Sequence, residues 1–192
     1  MTDEVEEASS PPRGRAKFDP MELSPEERRK KAKEICFDLL AARPRAQGEL
    51  RQTLRRKGFD DETIEVLLGK LDKAGLVDDA AFAELWVQAR HTHRGLSRTA
   101  IVAELKRKGV DEEIAVAAAS EVDRESEEQR ARELVRKKLR SLGEVDEQTA
   151  IRRLLGVLGR KGYPQGLSYS VIREELGAFG AESSLLDEAT AD

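Results

Sequence analysis

Three short basic runs, each closed by a glycine, offer the most chemistry in this chain. They read Arg55-Arg56-Lys57-Gly58, Lys106-Arg107-Lys108-Gly109 and Arg160-Lys161-Gly162. Clustered guanidinium and ammonium groups suit a phosphate backbone or an acidic protein groove. The same residues also suit a helix end. Glycine accepts the left-handed conformation there, and cations in the last turn complement the helix dipole. Recurrence at matched places, each behind Leu54, Leu105 or Leu158, makes these cations candidates for binding one partner together. Arg136, Lys137 and Lys138, flanked by Arg130, Arg132 and Arg140, add a fourth basic face within one helix.

Other reactive side chains fit poorly into a site. His91 and His93 are two residues apart and so point from different sides of a helix, which argues against a metal pair. Trp86 could stack on a base, but it falls in the apolar stripe Phe82-Leu85-Trp86-Ala89 and reads as core. Cys36 sits in another such stripe as filler, and a lone cysteine excludes an internal disulfide. No Gly-x-x-x-x-Gly-Lys-Ser/Thr loop, His-Glu-x-x-His pair or Gly-x-Ser-x-Gly turn occurs. Neither catalysis nor a cofactor or metal is expected.

The elements that carry these residues are helices. Ser24-Pro25-Glu26 opens the first, whose stripe is Ala32, Ile35, Cys36, Leu39 and Leu40. A second helix carries Ala46, Leu50 and Leu54. A third carries Ile64, Leu67, Leu68 and Leu71, with Phe59 and Ile64 spaced as a hydrophobic staple. The triplet then recurs, first with Ile101, Val102 and Leu105 in its middle helix and Ile114, Ala117, Ala118 and Val122 in its third. A last round has Ala131, Leu134, Val135 and Leu139, then Ile151, Leu154, Leu155 and Leu158, then Val171, Ile172, Leu176 and Phe179. Gly58, Gly109 and Gly162 lie 51 and 53 residues apart, a repeat near fifty that excludes the 33–34 of ankyrin and tetratricopeptide units. The fold class is therefore all-α, with tandem three-helix repeats forming an elongated, curved array. The expected divisions are a disordered acidic, proline-containing tail over 1–25, repeats over 26–75, 76–123 and 124–180, and an acidic tail over 181–192. So small a unit is expected to bury too little by itself and to lean on its neighbours.

Composition supports this reading. The 192 residues are 38% charged and only 4% aromatic, unlike a β-sandwich or barrel. The net charge of −4 is unevenly spread. Residues 1–12 and 174–192 hold ten of the 38 acids and no base, which leaves 28 acids against all 34 bases between them, a net of +6. No apolar run reaches the ~20 residues that span a bilayer, and the acidic N-terminus is no secretory signal. A cytoplasmic protein without a membrane partner is expected.

Several of these residues together resemble a known family. Asp78-Asp79, Phe82-Ala83, Val87 and Arg90, then Gly95, then Glu104-Leu105 and Lys108-Gly109, on tandem three-helix units, resemble the bacterial regulatory protein RecX family. The resemblance covers roughly residues 30–180. It departs at Ala81, where a polar residue is common, and at Pro164-Gln165-Gly166-Leu167, which reads as an insertion. What it implies is a non-enzymatic modulator, mainly an inhibitor, of the RecA recombinase. Such a protein lies along the groove of the RecA–DNA filament and restrains filament growth, ATP hydrolysis, strand exchange and LexA cleavage. The partners so implied are the RecA filament and the backbone of single- or double-stranded DNA, met by a monomer. The alternative is a sequence-tolerant helical-repeat protein acting on nucleic acid directly.

Overall fold

The computed structural model describes residues 19–190 except residue 144, with side chains described as far as residue 180. After a 3-10 turn at Pro20–Glu22, the helices are α1 (Pro25–Ala42), α2 (Gln47–Arg56), α3 (Asp61–Lys73), α4 (Asp79–Arg94), α5 (Arg98–Arg107), α6 (Glu112–Ser120), α7 (Arg124–Leu139), α8 (Glu147–Arg160) and α9 (Gln165–Thr190). No strand occurs among the described residues. Local chemistry sets the boundaries. Ser24 and Glu27 form a capping box ahead of α1, and Asp60, Asp78, Ser97, Asp111, Asp123 and Asp146 each accept a backbone N–H of the helix they cap. The middle helices α2, α5 and α8 run out at Gly58, Gly109 and Gly162, whose φ values of 89°, 79° and 80° disfavour any side chain.

Each triplet encloses its own core. Leu50, Leu54, Ile64 and Leu68 fill the first; Phe82, Ile101, Leu105 and Ala115 the second; and Val135, Leu154, Leu158 and Ile172 the third. Extensive helix packing lies inside a repeat: α1 with α3, α4 with α6, α7 with α9. Burial within a repeat thus exceeds burial against its neighbours. The joints between repeats are small and mostly polar, although Ala46 of the first repeat does enter the second core. The expected result of Leu154→Ala is a loss of about 2–5 kcal/mol confined to the third repeat. Hydrogen exchange should show faster exchange in α7–α9 and no change in α1–α3.

Some facing assignments differ from the periodic reading. Leu85 is 60% exposed and Ala89 and Ala117 are exposed. The buried sides are Phe82, Ala83 and Val87 on α4 and Ala115, Ala118 and Ala119 on α6. Small alanines let these two helices approach closely, which turns the stripe by one position from the larger side chains. The segment from Pro164 to Leu167, which reads as an insertion, is helical from Gln165, where α9 begins immediately after Pro164. The α9 backbone continues as helix to Thr190 through most of the segment expected as an acidic tail, and residues 191–192 lie outside the described residues.

At the other end, residues 1–18 of the expected tail lie outside the described residues, but residues 19–25 are part of the fold. Pro20 is fully buried. Arg28 of α1 holds that turn by donating from Nε to the Pro20 carbonyl (3.2 Å) and from a terminal nitrogen to the Leu23 carbonyl (3.3 Å), while its other terminal nitrogen pairs with Asp60 at 2.9 Å.

Candidate partner-binding surface

Two joints, built alike, decide which cations face outward. At the first, the start of α2 meets the end of α5. Gly48 lies so close to Gly109 that neither has room for a Cβ. The Gln47 backbone N–H donates to Asp79 at 2.8 Å. The Glu49 carboxylate pairs with Arg43 at 2.8 Å and across the joint with Lys108 at 3.0 Å. Burial alone would raise the Glu49 carboxyl, but hydrogen bonds and charge from Arg43 and Lys108 outweigh it and bring the pKa to about 2. At the second joint the start of α5 meets the end of α8. The Ser97 hydroxyl donates to the Gly162 carbonyl (2.7 Å), the Ser97 N–H donates to the Lys161 carbonyl (3.0 Å), and the Arg98 N–H donates to Glu127 (2.8 Å). The Tyr163 hydroxyl reaches the Gly95 carbonyl at 3.2 Å, and the Lys161 ammonium donates to the Arg94 carbonyl.

The glycine-closed basic runs therefore divide. Arg55, Arg56, Lys57, Lys106, Arg107 and Arg160 are exposed. Arg55 pairs with Asp61 at 2.7 Å and Lys106 with Glu112 at 2.7 Å, both in open solvent, where such pairs contribute little. Arg56 lies within hydrogen-bond reach of Thr53, and Arg107 of the Ala103 carbonyl. Lys108 and Lys161 turn inward to the preceding repeat instead. Lys108 is only 19% exposed, with its ammonium 4.2 Å from the centre of the Trp86 ring. That ring is half-buried, stacked on Phe82 at 5.6 Å and covered by the Arg90 guanidinium at 3.9 Å, and its N–H donates to Glu104. Trp86 is thus packed between two cations. On the fourth basic face, Arg136 makes a two-pronged pair with the buried Glu175 at 2.6 and 2.9 Å, whereas Lys137 is exposed and Lys138 half-buried.

A cation-lined groove of about 780 Å³ runs over the second joint. His93 and Arg94 come from the end of α4, Arg130, Lys137, Lys138 and Arg140 from α7, and Lys161 from the end of α8; Glu133 is the one acid in the lining. The crowding is visible in Lys161: burial, and then the charges of Arg130, Arg94 and Lys137, hold its ammonium below the ordinary lysine range. Such a groove can seat an anionic surface laid across two repeats. Lys137, Lys138 and Lys161 were legible in the sequence as binding candidates. His93 and Arg94 were not, because only the joint brings the end of α4 beside α7. Among the described residues there is no group of three or more metal-ligating side chains, and no helix is long and apolar enough to cross a membrane. Cys36 is buried, which pushes its thiol up to about 11 and leaves it unreactive at neutral pH.

Three separately cored three-helix units, joined end to end through capped middle helices and carrying a basic groove, define an all-α repeat protein. Comparison with known proteins places it more narrowly. The models of the first, second and third three-helix domains of RecX match residues 32–71, 78–118 and 125–172. The chain is 75% identical over 173 residues to the regulatory protein RecX of Amycolatopsis mediterranei, covering 90% of this chain and 99% of that one. It is 44% identical to the regulatory protein RecX of Thermobifida fusca over 159 residues, 83% of this chain and 86% of the other. The crystal structure of RecX from Lactobacillus salivarius superposes with a TM-score of 0.68 at 20% identity, over 77% of this chain and 96% of that one, and shares its fold. The chain belongs to the RecX family of regulatory proteins.

Proposed function

We propose that this chain regulates the RecA recombinase by binding along the groove of the RecA–DNA filament, and that it does so without a catalytic step or cofactor, as a monomer in the cytoplasm. By occupying that groove it restrains filament growth, ATP hydrolysis, strand exchange and RecA-assisted LexA cleavage. The observation that carries this reading is the cation-lined groove over the second joint. It spans two repeats and is lined by six Lys or Arg residues and His93 against one acid. The exposed cations Arg55, Arg56, Lys57, Lys106, Arg107 and Arg160 extend the basic character along the array.

The test is a charge reversal that spares the joints. Arg94→Glu with Lys137→Glu and Arg140→Glu changes exposed side chains only. Co-sedimentation with RecA filaments should weaken by about tenfold or more, equivalent to ~1.4 kcal/mol, and inhibition of DNA-stimulated ATP hydrolysis should fall with it. Binding by the unaltered chain should weaken as salt rises. Undiminished inhibition by the folded triple variant would refute the assignment of this groove. Equal affinity for naked single-stranded DNA and for filament would favour direct action on nucleic acid instead.

A further inference from the structure

The face between α1 and α3 differs in chemistry from its counterparts in the other two repeats. Buried Ala32, Ala83 and Ala131 on the first helices, and buried Leu67, Ala118 and Val171 on the third, fix which positions correspond. One and five residues beyond each alanine stand Lys33 and Phe37, Glu84 and Gln88, and Arg132 and Arg136. Three residues beyond the second set stand Lys70, Glu121 and Glu174, each followed by a buried residue, Leu71, Val122 or Glu175.

In the third repeat this face is closed from within. Arg132 pairs with Glu174 at 2.8 Å and Arg136 with Glu175 at 2.6 Å. In the second repeat it is a polar cleft that Glu84, Gln88 and Glu121 line. In the first repeat it is an open groove of about 480 Å³ with lysine on both sides. Buried Leu67 and Leu71 form its floor, and Phe37, Val66 and Leu76 lie exposed along it. Arg29, Lys30, Lys33 and Lys70 stand around that apolar strip, against Glu26 as the one acid in the lining. The Lys33 ammonium lies 5.2 Å from the centre of the Phe37 ring, and no carboxylate of the described residues forms an ion pair with Lys33 or Lys70.

Several large apolar side chains left in water within one groove mark an interaction site. The third repeat indicates what belongs opposite the cations, because there carboxylates of a packed helix meet them. In the first repeat α3 brings Lys70 instead, so the carboxylates must come from outside. A groove between two helices, apolar along its length and cationic at its margins, fits a further helix laid into it. Apolar residues at every third or fourth place of that helix face inward, and acids flank them.

We propose that the α1–α3 groove of the first repeat docks an acidic amphipathic helix of a partner protein, with its apolar side on Phe37, Val66 and Leu76 and its carboxylates against Lys33 and Lys70. This surface lies wholly within the first repeat and is separate from the cation-lined groove over the second joint.

Fluorescence anisotropy on the full chain tests this with neither RecA nor DNA present, so its failure leaves the filament reading as it stands. The probe is a labelled peptide of about 18 residues, with leucines three and four apart and glutamates between them. It should bind about tenfold or more tightly than the same residues in an order that breaks the apolar stripe, and than a version with lysines for glutamates. Lys33→Glu with Phe37→Gln and Lys70→Glu gives the first repeat the side chains that the second carries at those exposed places. That variant should keep its helical content and lose about tenfold in affinity. Equal binding of the reordered peptide, or undiminished binding by the folded variant, overturns the proposal. If the triple variant does not fold, Lys33→Gln with Lys70→Gln replaces it, and undiminished binding by that pair overturns the proposal as well. Binding that appears only after Asp3→Asn, Glu4→Gln, Glu6→Gln and Glu7→Gln would make the chain's own acidic segment the occupant. Tighter capture by phosphatidylglycerol vesicles than by the peptide would make the groove a lipid site. Either result overturns the assignment to a partner helix.

Discussion

Replacing Gly48 with valine should unfasten the first repeat from the second while leaving both cores folded. An added Cβ would lie 2.5 Å from the Lys108 carbonyl oxygen and closer still to Gly109 Cα. Both neighbours are backbone, so no side chain can swing aside. Gly109 cannot yield easily either, since its φ of 79° is tied to the end of α5. Forced overpacking of this kind costs about 1–3 kcal/mol, which is large against a small joint held by one backbone-to-carboxylate bond, one ion pair and the burial of Ala46 in the second core. The joint should therefore separate rather than absorb the strain. Three measurements would show it: faster exchange of the Gln47 amide now bonded to Asp79, a changed emission of Trp86 as Lys108 leaves its ring, and an increased radius of gyration. An unaltered Gln47 amide and Trp86 spectrum would mean that the joint tolerates the methyl groups. Filament inhibition should fall as well, because the basic surface would no longer be held in one register.

Lys108→Glu should destabilise the same joint, while Lys106→Glu with Arg107→Glu should not. Lys108 and Glu49 are only 19% and 15% exposed, so reversing Lys108 sets two shielded carboxylates against each other. Breaking a fully buried pair costs about 3–5 kcal/mol; with the remaining solvent access, about 2 kcal/mol is expected here. Lys106 and Arg107 are exposed, and their reversal should change stability by no more than about 0.5 kcal/mol. Filament affinity measured on the double variant therefore reports on the interface alone. Adding Lys108→Glu to that double variant would confuse an interface effect with an opened joint.

Glu49, paired with Arg43 and Lys108, also fixes a pH dependence. The Glu49 carboxyl is held at about 2 in the folded chain, below its ordinary value of 4.5. Its contribution is present above pH 4.5 and is lost as pH falls through 2. Asp79 works in the other direction. Burial raises its carboxyl despite the bond from Gln47, so its ionisation opposes folding and this cost disappears on acidification. An acid titration followed by Trp86 emission should separate the two, since Arg43→Gln with Lys108→Gln removes both partners that lower Glu49 and leaves the component of Asp79. A transition identical in that double variant would show that Glu49 is not the titrating group.

The helices and their limits were determined by the sequence alone, because they depend on residues within about a turn of one another. Ser24 with Glu27, the aspartate caps, the stripes of Leu50 and Leu54 or Leu154 and Leu158, and the glycines at 58, 109 and 162 are all local signals. Their spacing near fifty residues also carried the repeat. Which cations face outward was decided only in three dimensions. Lys57, Lys108 and Lys161 occupy the same place in three like segments, yet one is exposed, one is locked to Glu49 fifty-nine residues away, and one reaches Arg94 sixty-seven residues away. Periodicity within a helix ranks positions by face, but it holds no information on where the neighbouring repeat sits. Docking at the joints supplies that information: it gathers His93, Arg94, Lys137 and Lys161 into one groove, and at the N-terminal end it draws Pro20 onto Gly58 because Arg28 there seeks carbonyl oxygens.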